Sequence, residues 1–174
     1  MPSVIWTIRT GSGSYVLREQ IEPADEPGLL DLFTSCNDWF EAVTGGPSGN
    51  GDVQGLFYSL PEGARFEDKR LFTLRDGERI VGFVDVVLGH PHRRACTVAT
   101  FLLAPSHRRA GIGTAVSRVL LEEARHAGID ELIASADDRW PQGVAFLRSL
   151  GFTTDEPDGQ SAPRRAILTL NAAN

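Results

Sequence analysis

Residues Leu102-Leu103-Ala104-Pro105-Ser106-His107-Arg108-Arg109-Ala110-Gly111-Ile112-Gly113-Thr114 decide how this chain is read. An apolar, strand-like run from Ala95 to Leu103 ends at Pro105, a short polar loop follows, and beyond Gly111 the apolar residues change to helical spacing. Ile112, Val116, Val119, Leu120, Ala124 and Ala127 share one face, Arg125 and His126 fall in the last turn, and Gly128 is the terminator. The stretch is a strand feeding through a loop into a helix. The first turn of a helix leaves amide N–H groups unpaired and carries the positive end of the macrodipole, so this junction is an anion site. Gly111 and Gly113 keep Cβ atoms out of a phosphate's way, and Arg108 and Arg109 add positive charge.

Outward from the junction, the pattern is that of one mixed sheet with helices. Upstream, Leu71–Leu74 and Ile80–Leu88 read as strands joined by the tight turn Asp76-Gly77. Leu29, Leu32, Phe33, Cys36, Phe40 and Val43 recur at helical offsets, as one helix or with a second beginning near Asp38. Gly45 to Asp52 is too rich in Gly, Ser and Asn for regular structure and reads as a mobile loop. Residues 1–14 read as an N-terminal arm or extra strand ahead of a single domain over 15–174, in which Tyr15–Ile21 is a strand. Downstream, Glu131–Ala136, Gly151–Thr154 and Ala166–Leu170 read as strands and Val144–Leu150 as a helix. Strands and helices in this order make an α+β fold of three layers.

The chain has 174 residues with 41% apolar and 23% charged side chains, within the ordinary globular range and long enough to bury a core without disulfides or metal. Its formal charge of −6 argues against nucleic acid and anionic lipid as partners. The basic residues are sixteen arginines and one lysine, Lys69. Cys36 and Cys96 are far apart and read as buried thiols in a reducing compartment, and no His, Cys or carboxylate cluster has metal-ligand spacing. With no signal core and no membrane-length apolar run, the expected location is the cytoplasm.

Three phosphate-binding patterns compete for the junction. A Walker loop needs a lysine where none stands, and a dinucleotide fingerprint needs glycine where the chain has Val116. The third is Arg108-x-x-Gly111-x-Gly113 after a strand and opening a helix, followed by Phe146-Leu147-Arg148-Ser149-Leu150-Gly151-Phe152. From about Ile80 to Phe152 this resembles the GCN5-related N-acetyltransferase (GNAT) family. The resemblance implies a mostly antiparallel twisted sheet with a splay between the strand ending at Leu103 and the strand Leu132–Ala136. It also implies acetyl-coenzyme A as co-substrate, with Arg108, Arg109, Ala110, Gly111, Ile112, Gly113 and Thr114 around its pyrophosphate and Leu102 and Leu103 beside its pantetheine arm. The acceptor, a small-molecule or peptide amine, would enter on the opposite side, and a homodimer is compatible with the family. The alternative is a coenzyme A-binding module without transferase activity.

The chain departs from the family pattern where proton transfer is concerned. Leu147 stands where relatives often carry a tyrosine acid, Trp140 where an asparagine is common, and Thr97 where some carry a glutamate base. Other groups then come forward. Asp85 lies in a strand on a face with Val81, Phe83 and Val87, where burial would suit it to take a proton or bind an ammonium; the competing reading is a structural carboxylate satisfied by an arginine or amide. His92, near His90 in the turn that follows, has the pKa of a general base, against its reading as a surface histidine. Asp38 and Trp39 are candidates to line the acceptor pocket, with Asp85. Asp137-Asp138 after a central strand could face the acceptor or form a solvated turn.

Overall fold

The computed structural model describes residues 4–19, 21–157, 159 and 162–170. Eight strands form one sheet: β1 (Ile5–Thr10), β2 (Gly13–Glu19), β3 (Lys69–Asp76), β4 (Arg79–Leu88), β5 (Ala95–Leu103), β6 (Glu131–Ala136), β7 (Thr153–Thr154) and β8 (Arg164–Thr169). Their spatial order is β1-β2-β3-β4-β5-β6-β8-β7. Every neighbouring pair is antiparallel except β5 and β6, which are parallel. A parallel pair needs a crossover, and the helix that follows β5 supplies it.

The helices are α1 (Glu26–Ser35), α2 (Asn37–Thr44), α3 (Asn50–Tyr58), α4 (Ile112–His126) and α5 (Pro141–Ser149). Phe33 of α1 packs on Phe83 of β4 with ring centroids 5.9 Å apart, and on Phe40 of α2 at 5.3 Å. Phe101 of β5 packs on Phe146 of α5 at 5.5 Å from the sheet's other face. The core therefore has two halves, with α1 to α3 on one face and α4 and α5 on the other. Among the described residues no helix is long and apolar enough to cross a membrane.

One element differs from the sequence reading, and open alternatives are resolved. The predicted loop Gly45–Asp52 is irregular only to Gly49, because α3 begins at Asn50. Asp52 starts it: its Oδ2 accepts the Gly49 amide at 2.7 Å, so the third helical residue caps the glycine-rich entry. The long apolar stripe of residues 29–43 is broken at Cys36, where φ −93° and ψ 22° leave the helical region and separate α1 from α2. The first fourteen residues, open between arm and strand, contain β1, which pairs with β2 over its whole length. A buried aspartate then fixes where α1 sits. Asp25 accepts Arg18 of β2 and Arg75 of β3, each at 2.7 Å, and the Glu22 amide at 2.9 Å.

Both thiols are buried, and neither is in a disulfide. Loss of hydration pushes the Cys96 thiol up to about 12 and raises that of Cys36. A thiol must ionise to react, so iodoacetamide at mildly alkaline pH is expected to label neither cysteine in the native chain and both in denaturant. Native-state labelling at the denatured rate would contradict the packing described here.

Candidate active site

The loop between β5 and α4 builds the head of the site. Arg109 has φ 59° and Gly111 has φ 76°, so two left-handed residues curl the backbone just before the helix. Among the described residues, none of the amides from Arg109 to Thr114 donates to a protein acceptor, and no side chain caps α4. Six unpaired amides thus lie together at the positive end of a fifteen-residue helix, an arrangement suited to an anion. A Cβ built at Gly111 meets nothing within 4 Å, so the approach from that side is open. The loop is braced from behind by His107, whose ring bonds Ser106 at 2.8 Å and Asp76 at 3.0 Å.

Below the loop the sheet comes apart. β5 and β6 pair only at Ala95–Glu131, Cys96–Leu132 and Thr97–Ile133. From Val98 to Leu103 β5 therefore has no strand beside its β6-facing edge, about 20 Å of extended chain. Within it, Asp85 pairs with Thr100 and Val86 with Val98, so Ala99 is the extra residue of a β-bulge. Ala99 is exposed although it lies mid-strand in a central position.

That gap opens a cavity of about 580 Å³ that passes through the sheet. On one face Ser117, Leu120 and Leu121 of α4 with Phe146 and Leu147 of α5 line it. On the other face it meets Trp39 and Val43 of α2, and Thr100, Ser135 and Asp137 stand along the gap. An arm threaded through the gap from the unpaired amides would meet a second reactant arriving from the α2 side at the bulge.

Residues 33–152 match the Acetyltransferase (GNAT) family. The chain belongs to that family. The match begins well upstream of Ile80, taking in the last turn of α1 and all of α2, which the two sequence motifs do not reach. Comparison with proteins of curated function finds no match. Among solved structures, the GNAT fold recurs in an acetyltransferase from Thermus thermophilus, with TM-score 0.74 and 23% identity, covering 95% of this chain and 100% of that one. The GNAT domain of S. lividans PAT superposes with TM-score 0.71 at 16% identity, covering 97% of each chain. PaiA N-acetyltransferase from Thermoplasma acidophilum, in complex with coenzyme A, does so with TM-score 0.64 at 13% identity over 88% of this chain and 99% of that one. The splayed, mostly antiparallel sheet is this family's fold, and the chain is an acyltransferase of the GNAT type.

Within the GNAT frame the predicted residues separate. Arg109, Ala110, Gly111, Ile112, Gly113 and Thr114 all carry unpaired amides, and the Arg109 guanidinium has no partner among the described residues. Gly113 serves a different purpose from the predicted one: a Cβ there would lie 3.2 Å from the Phe146 ring, so the missing side chain admits α5 rather than a phosphate. Arg108 is turned away. Its Nε donates to the Leu103 carbonyl at 2.8 Å, its NH1 to Asp38 Oδ2 at 2.6 Å, and its guanidinium lies 5.5 Å from the Trp140 ring. Arg108 and Asp38 therefore neutralise each other across the cavity mouth, and the guanidinium holds the Asp38 carboxyl below the usual range.

Alternation along β5 also corrects the arm contacts. The Ala104 amide donates to Val81 of β4, so the backbone polar groups of Leu103 and Phe101 face the gap and those of Leu102 face β4. Asp85 is buried at 3% exposure and does not line the cavity. It is bonded by Lys69 Nζ at 2.7 Å, which also donates to the Ser59 carbonyl at the end of α3. The predicted arginine or amide partner is the chain's single lysine. His92 is exposed, pairs with Glu131 at 3.2 Å, and stands apart from the cavity.

Three residues in the cavity wall carried little sequence signal. Ser117 is a buried hydroxyl on the apolar side of α4. Asp137 lines the gap, and its carboxyl is kept below the usual range by the bonds from Arg139. Trp140 rests against Gly143, where a Cβ would come within 2.7 Å of its ring. The Asp137-Asp138 pair was legible as a feature but not as two different ones: Asp138 binds Arg164 and faces outward.

Proposed function

We propose that this chain transfers an acetyl group from acetyl-coenzyme A to the amine of a small-molecule or peptide acceptor, by direct attack in a ternary complex. The observation that carries this reading is the through-sheet cavity together with the unpaired amides of Arg109 to Thr114, which end one helical turn before Ser117 in its wall. The amides of Arg109 to Thr114 and the Arg109 guanidinium hold the diphosphate, and the backbone of Phe101 with the Leu103 amide pairs with the pantetheine arm, the Leu103 carbonyl being held by Arg108. The acceptor enters past Trp39 and Val43.

The amine nitrogen adds to the thioester carbonyl, the C–S bond breaks as the amide C–N bond forms, and the proton lost by nitrogen balances the one gained by the thiolate. The amide of Ala99, the residue with none opposite it on β4, serves the developing oxyanion. Asp137, ionised and fixed by Arg139, stands where an incoming ammonium would be steadied. Holding two reactants in one cavity supplies most of what such a reaction needs, since orientation alone is worth on the order of 7–11 kcal/mol. A second reading, a coenzyme A-binding module without turnover, is favoured by one observation: Leu147 lines the cavity and donates no proton.

Thiol release from acetyl-coenzyme A, measured over a panel of amino acids, diamines and short peptides, decides between them. Turnover with any amine is the expected result. Calorimetric binding of coenzyme A with no turnover across the panel establishes the module instead.

A further inference from the structure

The cavity is larger than the gap that defines it. The gap closes at Thr97–Ile133, where β5 and β6 pair, so an arm lying in the plane of the sheet ends at the bulge. On the α2 face the space beyond the bulge belongs to the acceptor. On the α4 face the cavity continues past the bulge, along Val86 and Leu88 of β4, Cys96 and Val98 of β5, and Ala124 of α4. Helix geometry gives the level: from Gly111 to Leu120 α4 rises about 13 Å. From Leu103 back to Ala99 β5 covers about the same distance. Leu120 shares the cavity wall with the bulge residue Ala99, and Ala124 lies one turn further along α4. The walls of this extension are apolar, and its charged groups, Glu19, Arg70 and Glu123, belong to the outer rim where Glu19 and Arg70 pair at 3.3 Å.

We infer that this extension receives the acyl chain of the donor, so that the protein takes, besides acetyl, a longer donor: a saturated acyl group of several carbons on coenzyme A. The inference rests on the donor reading above. A two-carbon group would leave the apolar channel on the α4 face beyond the bulge open. The transfer itself is unchanged, with the amide bond forming as the C–S bond breaks and the longer chain leaving on nitrogen.

Calorimetry with the full chain and no acceptor tests it, using coenzyme A, acetyl-, butyryl- and hexanoyl-coenzyme A. Each methylene buried is worth about fourfold in affinity at most, so hexanoyl-coenzyme A is expected to bind at least about tenfold tighter than acetyl-coenzyme A. Ala124→Phe fills the channel from the helix, and Leu88→Trp fills it from the sheet; both positions are clear of the unpaired amides. Either is expected to erase the hexanoyl advantage while leaving coenzyme A itself within about twofold, and the second variant stands if the first does not fold. Equal affinity for hexanoyl and acetyl thioesters in the parent chain overturns the inference and leaves the donor reading intact. An advantage that survives both fillings also overturns it, since the chain would then lie elsewhere. If coenzyme A fails to bind at all, the donor reading falls and takes this inference with it.

Discussion

Replacing Ala110 by aspartate is expected to abolish coenzyme A binding while leaving the chain folded. Ala110 is exposed, between the two left-handed residues Arg109 and Gly111, so a longer side chain there displaces nothing from the core. The new carboxylate would sit at a helix N-terminus whose amides have no other acceptor, where a negative charge stabilises the helix by about 0.3–1 kcal/mol. The same charge competes with a diphosphate for those amides and repels it, so affinity should fall by about a hundredfold or more, equivalent to about 2.7 kcal/mol. Binding and stability then move in opposite directions, a signature that a folding defect does not produce. Calorimetry against coenzyme A together with a thermal melt reads both, and an unchanged dissociation constant would remove these amides from the donor site. Gly113→Asp is a poorer probe of the same idea, because its side chain would first collide with Phe146.

Lys69→Met is expected to be the most destabilising single change outside the apolar core. Asp85 and Lys69 have side-chain exposures of 4% and 5%, and Asp85 Oδ1 already lacks a partner. Removing the ammonium leaves a buried carboxylate with no counter-charge and the Ser59 carbonyl without its donor, a loss of about 3–5 kcal/mol. The pH dependence identifies the cause. Burial holds the Asp85 carboxyl above its ordinary range even with Lys69 beside it. A raised folded-state pKa means that the folded chain binds the proton more tightly than the unfolded one. Stability from this group is therefore present at low pH and is lost as pH rises through the folded value. Without Lys69 that window extends upward, so the deficit of Lys69→Met relative to the parent should shrink on acidification. Urea unfolding at a series of pH values measures it, and a deficit independent of pH would show that lost packing, not the orphaned charge, is responsible. The double replacement Lys69→Met with Asp85→Leu is expected to recover most of the loss.

The junction at Leu102–Thr114 could be read without a structure because every signal in it is local. Period, proline and glycine punctuation, and unpaired first-turn amides are properties of a dozen consecutive residues. The same holds for β5, β6 and α4, whose apolar spacing is long and regular. Asp52 was a local signal as well, but its meaning depended on accepting a helix start among glycines, and composition argued against that.

What the sequence determined by itself is therefore the strand–loop–helix with its unpaired first-turn amides, together with the order of elements that makes the family resemblance specific. Only the tertiary structure decided which charges remain free to act. Arg108 and Arg109 are neighbours of identical chemistry, yet one is turned back onto Asp38 and Leu103 while the other stays open. Asp85 and Asp137 are both strand-associated carboxylates, but only Asp137 reaches the cavity. A side chain's partner across the sheet or from another layer is set by register and packing between residues tens of positions apart. No local pattern records that distance, and the chemistry of this site is spent or available according to it.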